Sequence, residues 1–162
     1  MKKGLLLIAL TLTGLMTYGQ TYPYVSIYDI NYVSPASLAA CNDSSAYFGD
    51  TIRTRGIVIT DGSLSEVASG SVQGGNRPFI FLIDTAGGGS PGPFKSIELM
   101  GVYEDASGTL LVPPSFTQVI AGDIVEITGY VGAFNNSAQL SLLDANSFSV
   151  VGTTNPPEAD TI

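Results

Sequence analysis

The 162-residue sequence contains no histidine and only one cysteine, Cys41. The lack of histidine excludes Ser-His-Asp and Cys-His nucleophilic triads, together with every zinc site that uses a histidine ligand. A single cysteine excludes a disulfide within the chain and a zinc site of four thiolates from one chain. The carboxylates of Asp84, Glu104 and Asp105 are candidates for acid–base work, but solvated loops account for them more simply. Asp61, Asp84 and Asp105 are candidates for calcium binding, but the sequence has no D-x-D-x-D loop. The sequence therefore predicts that the protein is not an enzyme and needs no metal or cofactor.

Basic residues are also scarce, with six Lys and Arg against fourteen Asp and Glu. Residues 1–20 have the features of a secretory signal peptide: Lys2 and Lys3 precede an apolar core at 5–15, and small residues lead to a cleavage site near Gln20. Loss of this leader leaves four cations against fourteen acidic residues, a net charge of about −10. These cations are Arg53, Arg55, Arg77 and Lys95. Phosphate binding needs clustered Lys and Arg, so weak or no nucleic-acid binding is expected.

No stretch of the sequence predicts a membrane span. The apolar run 5–15 is too short, and no later run is long enough. We therefore expect an exported protein that is secreted, periplasmic or on the cell surface. Cys41 follows Leu-Ala-Ala as in a lipoprotein signal, but Pro23 and Asp29 separate it from the leader's apolar core. It is expected instead to be a small, part-buried apolar side chain.

Two stretches of similar sequence, 49–58 and 122–131, organise the rest of the chain. Both begin with Gly-Asp, a turn signal, and continue as alternating β-branched runs. Both carry a glycine inside the run, Gly56 and Gly129, where glycine usually marks a bulge or a sharp bend. A bulge at Gly56 would re-aim the residues that follow it. Two bent strands can each serve two parts of a closed sheet and so predict a small barrel, unless their similarity is coincidental.

The remaining elements complete a predicted all-β domain. Strands are expected at 50–60, 78–83, 96–100, 123–132 and from Gln139, with a further strand-like run at 148–151. Ser26 and Asp29 fit a capping box, and Ser34-Pro35 fits an N-cap followed by proline, so short helical turns should precede the first strand. The second helix should stop at Asn42, and Pro113-Pro114 excludes a long helix between 102 and 121.

This order predicts a five-stranded OB-fold Greek-key barrel with short N-terminal helical turns. The barrel should span residues 21–152, and residues 153–162 should form a linker or a disordered tail.

The order and spacing of these motifs carry a family resemblance across residues 26–152. The matching stretches are residues 26–30, 49–60, 79–84, 97–99, 122–131 and 139–140. Through them the chain resembles the OB-fold modules of exported Bacteroidota proteins and is similar to OB-fold modules in secreted bacterial nucleases. It departs from these modules at Ile83, where they often carry glutamine before the aspartate. Larger relatives join such modules to catalytic or sorting domains, so the resemblance implies a module without its neighbours' activity.

An OB fold usually binds ligands on the exposed face of its second and third strands, edged by two loops. The candidate ligand-binding residues on that face are Arg77, Phe79, Phe81, Lys95, Asn135 and Asn136. Exposed aromatic rings stack on bases or sugars, whereas an apolar strand usually buries its better face, which would place both phenylalanines in the core. Arg53 and Arg55 either join Arg77 and Lys95 on a positive side or pair with Glu126.

These observations predict a non-catalytic binding or spacer module of an exported bacterial protein. Its ligand would be a glycan, a peptide or a neighbouring domain, and the sequence carries no signal for an oligomeric state. The alternative is an oligonucleotide-binding module that assists an extracellular nuclease. That alternative requires Arg77 and Lys95 to form a local positive patch on an otherwise acidic body.

Overall fold

The computed structural model describes residues 21–86, 88–89, 92–135 and 137–156. The helices are α1 (Ile27–Asn31), α2 (Pro35–Ala39) and a 3₁₀ helix (Phe116–Gln118). The strands are β1 (Thr51–Val58), β2 (Glu66–Ala68), β3 (Asn76–Asp84), β4 (Ser96–Met100), β5 (Tyr103–Glu104), β6 (Leu110–Leu111), β7 (Asp123–Phe134), β8 (Ser137–Leu142) and β9 (Phe148–Thr153). The predicted leader, 1–20, and the end of the predicted tail lie outside the described residues.

Five strands close into a barrel. In chain order they are β1, β3, β4, β7 and β8, and around the barrel they run β1–β3–β4–β8–β7, with β7 pairing back to β1. The pairing of β4 with β8 is parallel, and the other four pairings are antiparallel. This five-stranded Greek-key barrel is the OB fold, so the predicted fold class is confirmed.

The barrel encloses an apolar core formed by one face of each strand. In β1 the buried face carries Ile52, Thr54, Gly56 and Val58. The connection between β6 and β7 adds the ring of Phe116, which packs against Phe148 with 5.1 Å between ring centroids. Between residues 102 and 121 the structure has the short strands β5 and β6 and one 3₁₀ turn, in agreement with the exclusion of a long helix.

The two strand glycines lie where a strand gains a second partner. Pairing of β1 with β3 begins at Gly56, and pairing of β7 with β8 begins at Gly129. The ladder between β1 and β7 runs without a shift through both positions, and the irregularity in β7 lies between Ile124 and Val125. The predicted bulge at Gly56 is therefore wrong, although both strands do serve two parts of the closed sheet.

Close approach of neighbouring chain segments explains why both positions are glycine. A Cβ on Gly56 would lie 2.9 Å from the Leu82 Cβ, and a Cβ on Gly129 would lie 2.6 Å from the Ser141 carbonyl oxygen. Neither glycine has a positive φ. The lack of room for a Cβ, and not a positive φ, therefore explains why both positions are glycine.

Helix α1 is fixed against the barrel by its cap and by a distant carboxylate. The Ser26 hydroxyl accepts a hydrogen bond from the Asp29 amide at 3.0 Å and donates to the Asp29 carboxylate at 2.7 Å, which confirms the predicted capping pair. Asp84, only 2% exposed, accepts a hydrogen bond from the Tyr28 amide at 2.8 Å. Ile27 and Ile30 of α1 are buried in the core.

Helix α2 starts where the sequence predicts but differs at its end. The Ser34 hydroxyl accepts a hydrogen bond from the Ser37 amide at 3.1 Å, with proline at the first helical position. The helix ends at Ala39, before the predicted stop at Asn42. Cys41 is exposed, so the expectation of a part-buried side chain is wrong. The reason is that α2 buries none of its residues and offers no apolar cover.

The short strands β2, β5 and β6, which lie outside the barrel, were not predicted from the sequence. β2 pairs with the start of β3, and β5 pairs with β6. β9 begins at Phe148 as predicted, runs to Thr153, and pairs with the part of β7 that β8 leaves uncovered. Within the described ranges, no helix is long and apolar enough to cross a membrane.

Candidate functional site

The alternation of β3 turns its two phenylalanines away from the barrel interior. Ile80 and Leu82 are fully buried, whereas Phe79 is half-buried and Phe81 is 39% exposed. The two phenyl rings meet edge to face, with centroids 5.8 Å apart. Phe79 also packs on a small apolar cluster around Met100. Neither ring belongs to the barrel core, and Phe81 is the more accessible of the two.

Three side chains on neighbouring strands, Phe81, Glu98 and Gln139, form a row across the outer face of the sheet. In the β3–β4 ladder Phe81 lies opposite Glu98, and in the β4–β8 ladder Glu98 lies opposite Gln139. Directly opposed residues on neighbouring strands have Cβ atoms about 5 Å apart. An aromatic ring, a carboxylate and an amide therefore stand side by side.

This row lies in a groove of about 590 Å³. One wall comes from the segment around α1 and α2, and the other from the turn between β7 and β8. The lining includes aromatic rings, amides and carboxylates: Phe81, Phe94, Phe134, Asn31, Asn135, Gln139, Asp43 and Glu98. Among the described residues that line it, none is lysine or arginine.

Only part of the predicted site lies at this groove. Phe81 and Asn135 line it, and Asn135 adopts a left-handed conformation, φ 48°, in the β7–β8 turn. Phe79 does not line it and lies towards β2. Asn136 lies outside the described residues.

The two cations predicted for the rim lie at opposite ends of β3. Arg77 is paired with Val67 of β2 near the start of the strand. Lys95 accepts a backbone hydrogen bond from Asp84 at the end of the strand, at 2.8 Å. Arg77 and Asp84, the residue to which Lys95 is bonded, are seven residues apart along the extended strand, a distance of about 24 Å. Arg77 and Lys95 therefore cannot form one compact positive patch.

The other two cations are paired with a single carboxylate. Arg53 and Arg55 contact the two oxygens of Glu126 at 2.6 and 2.8 Å across the β1–β7 ladder. These hydrogen bonds hold the pKa of Glu126 below its ordinary value, and the bond from Arg53 has a larger effect than the bond from Arg55. Pairing with Glu126, one of the two expectations for these arginines, is confirmed, and neither arginine lines the groove.

Two of the carboxylates considered for chemistry, Asp84 and Asp105, accept hydrogen bonds that serve the fold. Asp84 accepts hydrogen bonds from the Tyr28 and Ala86 amides. Asp105 closes its own loop by accepting from the hydroxyl and amide of Ser107 and from the Thr109 amide. These bonds, the Ser107 hydroxyl foremost, lower the pKa of Asp105. In the part of the chain that the structure describes, no three His, Cys, Asp or Glu side chains cluster as a metal site would require.

The groove also depends on residues that the sequence did not single out. The Asn31 side-chain amide donates to the Phe94 carbonyl at 3.3 Å and to the Ser96 carbonyl at 2.8 Å. Phe94 has a φ of 63°, which is uncommon for a residue other than glycine. More than 60 residues separate Asn31 from these partners. No local sequence pattern could have predicted that contact.

Comparison with known proteins leaves the assignment at the level of the fold. No protein-family model matches the sequence, and no curated protein matches it. Among solved structures, the second OB-fold domain of replication protein A from Methanococcus maripaludis is 14% identical, with a TM-score of 0.37 over 66% of this chain and 89% of that one.

Two further OB domains are similar at the same level. One is from a Thermoplasma acidophilum protein, with 18% identity and a TM-score of 0.37 over 68% of this chain and 83% of that one. The other is from a Methanosarcina mazei protein, with 11% identity and a TM-score of 0.38 over 70% and 80%. The likeness concerns the fold alone, which the strand order already shows.

Proposed function

We propose that this chain is a non-catalytic binding module of an exported bacterial protein, and that its groove binds a neutral glycan. The observation that carries the proposal is the row Phe81–Glu98–Gln139 on the groove floor. A sugar ring presents C–H groups on its faces and hydroxyls around its edge. An exposed aromatic ring packs on such a face, while carboxylate and amide side chains exchange hydrogen bonds with the hydroxyls.

Charge favours a neutral ligand over an acidic one. Asp43 and Glu98 line the groove, and its described lining contains no cation. A phosphate or uronate group would therefore meet like charge without a partner. The alternative, an oligonucleotide-binding module that assists an extracellular nuclease, would need a continuous basic track, whereas Arg77 and Lys95 lie at opposite ends of β3.

Export is part of the proposal, and the features of residues 1–20 support it. The resemblance to OB-fold modules of exported Bacteroidota proteins agrees with a secreted, periplasmic or surface location. Expression of the full chain in a Gram-negative host should yield exported protein whose intact mass matches a chain that begins near Thr21. Recovery of chains that retain Met1 would contradict the proposed export.

Binding is tested by titrating a panel of neutral gluco-, xylo-, manno- and galacto-oligosaccharides, with single-stranded DNA and a proline-rich peptide as other ligand classes. At least one neutral oligosaccharide should bind, and Phe81→Ala or Glu98→Ala should weaken it about tenfold. Tyr24→Ala and Glu66→Ala are matched controls, because both residues are exposed and neither lines the groove. Selective binding of DNA or of the peptide would contradict the glycan assignment, and binding by no ligand would favour a spacer role.

A further inference from the structure

Three aromatic side chains form an exposed cluster beside the groove. Tyr28 and Tyr32, one turn apart at α1, stack with ring centroids 5.6 Å apart and planes at 26°. Phe94 meets them edge to face at 6.2 and 5.8 Å. All three rings stay between 37% and 41% exposed. The cluster therefore holds a sizeable aromatic surface in water, outside the barrel core.

Hydrogen bonds to the backbone, two long-range and one within α1, anchor the segments that carry the three rings. The carboxylate of Asp84 binds the backbone of Tyr28, and the Asn31 amide binds the carbonyl of Phe94. The Tyr32 amide donates to the Tyr28 carbonyl at 2.8 Å and holds the second ring over the first. Rings that are already ordered lose little conformational entropy on binding, so their contact area contributes more fully to affinity.

The cluster continues the groove through one shared residue. The Phe94 side chain lines the groove and also contacts both tyrosines. Asn31 connects the same two regions, because it lines the groove and bonds to the chain on both sides of Lys95. A ligand that leaves the groove past Phe94 would therefore meet Tyr32 and Tyr28 next.

We propose that Tyr28, Tyr32 and Phe94 form a second stacking subsite, so that the module binds an extended neutral oligosaccharide rather than a single sugar. This inference rests on the proposed glycan-binding function of the groove. The groove holds the first part of the chain on the row Phe81–Glu98–Gln139. The rings of the aromatic cluster stack on the sugars that follow.

The test compares a disaccharide with a hexasaccharide of the same linkage, chosen from the neutral panel, by calorimetric titration. The parent protein should bind the hexasaccharide about tenfold more tightly than the disaccharide. Tyr32→Ala should remove most of that difference and leave disaccharide affinity within about twofold. Tyr32→Phe keeps the ring and should retain hexasaccharide affinity, which separates stacking from a folding defect. Tyr24→Ala is the control for an exposed tyrosine outside the cluster.

Each outcome bears on a different part of the account. If the two ligands bind equally, or Tyr32→Ala weakens both by the same factor, the second subsite is wrong while the groove function stands. If no neutral oligosaccharide binds, the proposed function fails and the subsite fails with it. If only the proline-rich peptide binds and Tyr32→Ala abolishes that binding, the cluster is a peptide site and the sugar assignment is overturned.

Discussion

Thr54 shows what a single buried polar group does to this barrel. Its side chain is fully buried in β1, and its hydroxyl has no hydrogen-bond partner among the described residues. Such a group costs about 1–3 kcal/mol relative to a satisfied one. Thr54→Val replaces the hydroxyl by a methyl group of similar size and should raise the free energy of unfolding by about 1 kcal/mol, measured by urea denaturation.

Thr60 provides the matched control for that substitution. Its hydroxyl accepts a hydrogen bond from the Phe81 amide at 2.9 Å. Thr60→Val removes that acceptor and should lower the free energy of unfolding by about 1 kcal/mol. Opposite signs for the two Thr→Val changes support the assignment. A loss of stability in Thr54→Val equal to that in Thr60→Val would mean that the Thr54 hydroxyl is satisfied.

Gly129 and Gly132 lie in the same strand, β7, but differ in the room available for a Cβ. A Cβ on Gly129 would lie 2.6 Å from a carbonyl oxygen, whereas the nearest atom to a Cβ on Gly132 would be 3.8 Å away. Gly129→Ala should therefore lower stability by about 1–3 kcal/mol, and Gly132→Ala should change it little. Urea midpoints that agree within error for both variants and the parent would remove the close-approach explanation.

At the scale of elements, Glu126 couples β1 to β7 through both arginines of β1. Its pKa is lowered from an ordinary value of 4.5, so its contribution to stability is present above about pH 4.5 and is lost as the pH falls through the lower folded-state pKa. Because the pairs are partly exposed, Glu126→Gln should reduce stability at pH 7 by about 1 kcal/mol or less. The gap between variant and parent should close in acid and narrow in high salt. A gap that stays constant from pH 7 to pH 2 would contradict this role.

The elements that sequence reasoning predicted are those with strong local signals. Alternating β-branched runs gave the barrel strands, and the Ser26–Asp29 pair gave the start of α1. The two- and three-residue strands β2, β5 and β6 were missed because runs that short have no readable period. The groove was predicted in part, through Phe81 and Asn135, because the fold itself specifies that face. Asn31 and Phe94 were missed because they are brought together only by the tertiary fold.

At the scale of the whole molecule, the distribution of charge matters more than its total. The chain carries fourteen acidic residues against six basic ones. Two of the cations are paired with Glu126, and Arg77 and Lys95 lie at opposite ends of β3. The groove itself has carboxylates and amides among its polar side chains. A binding surface of this kind selects ligands by shape and hydroxyl pattern, and its affinity should depend only weakly on salt.

The most direct test of glycan binding in the groove is a two-dimensional ¹H–¹⁵N NMR titration of the folded chain with the best-binding neutral hexasaccharide. Binding in the groove should give saturable shifts for the amides of residues that line it, namely Asn31, Phe81, Phe94, Glu98 and Asn135. The amides of Arg55 and Val150, on β1 and β9, should stay in place. Shifts concentrated on β1 and β9, or none at millimolar ligand across the panel, would contradict the claim that the groove is the binding site.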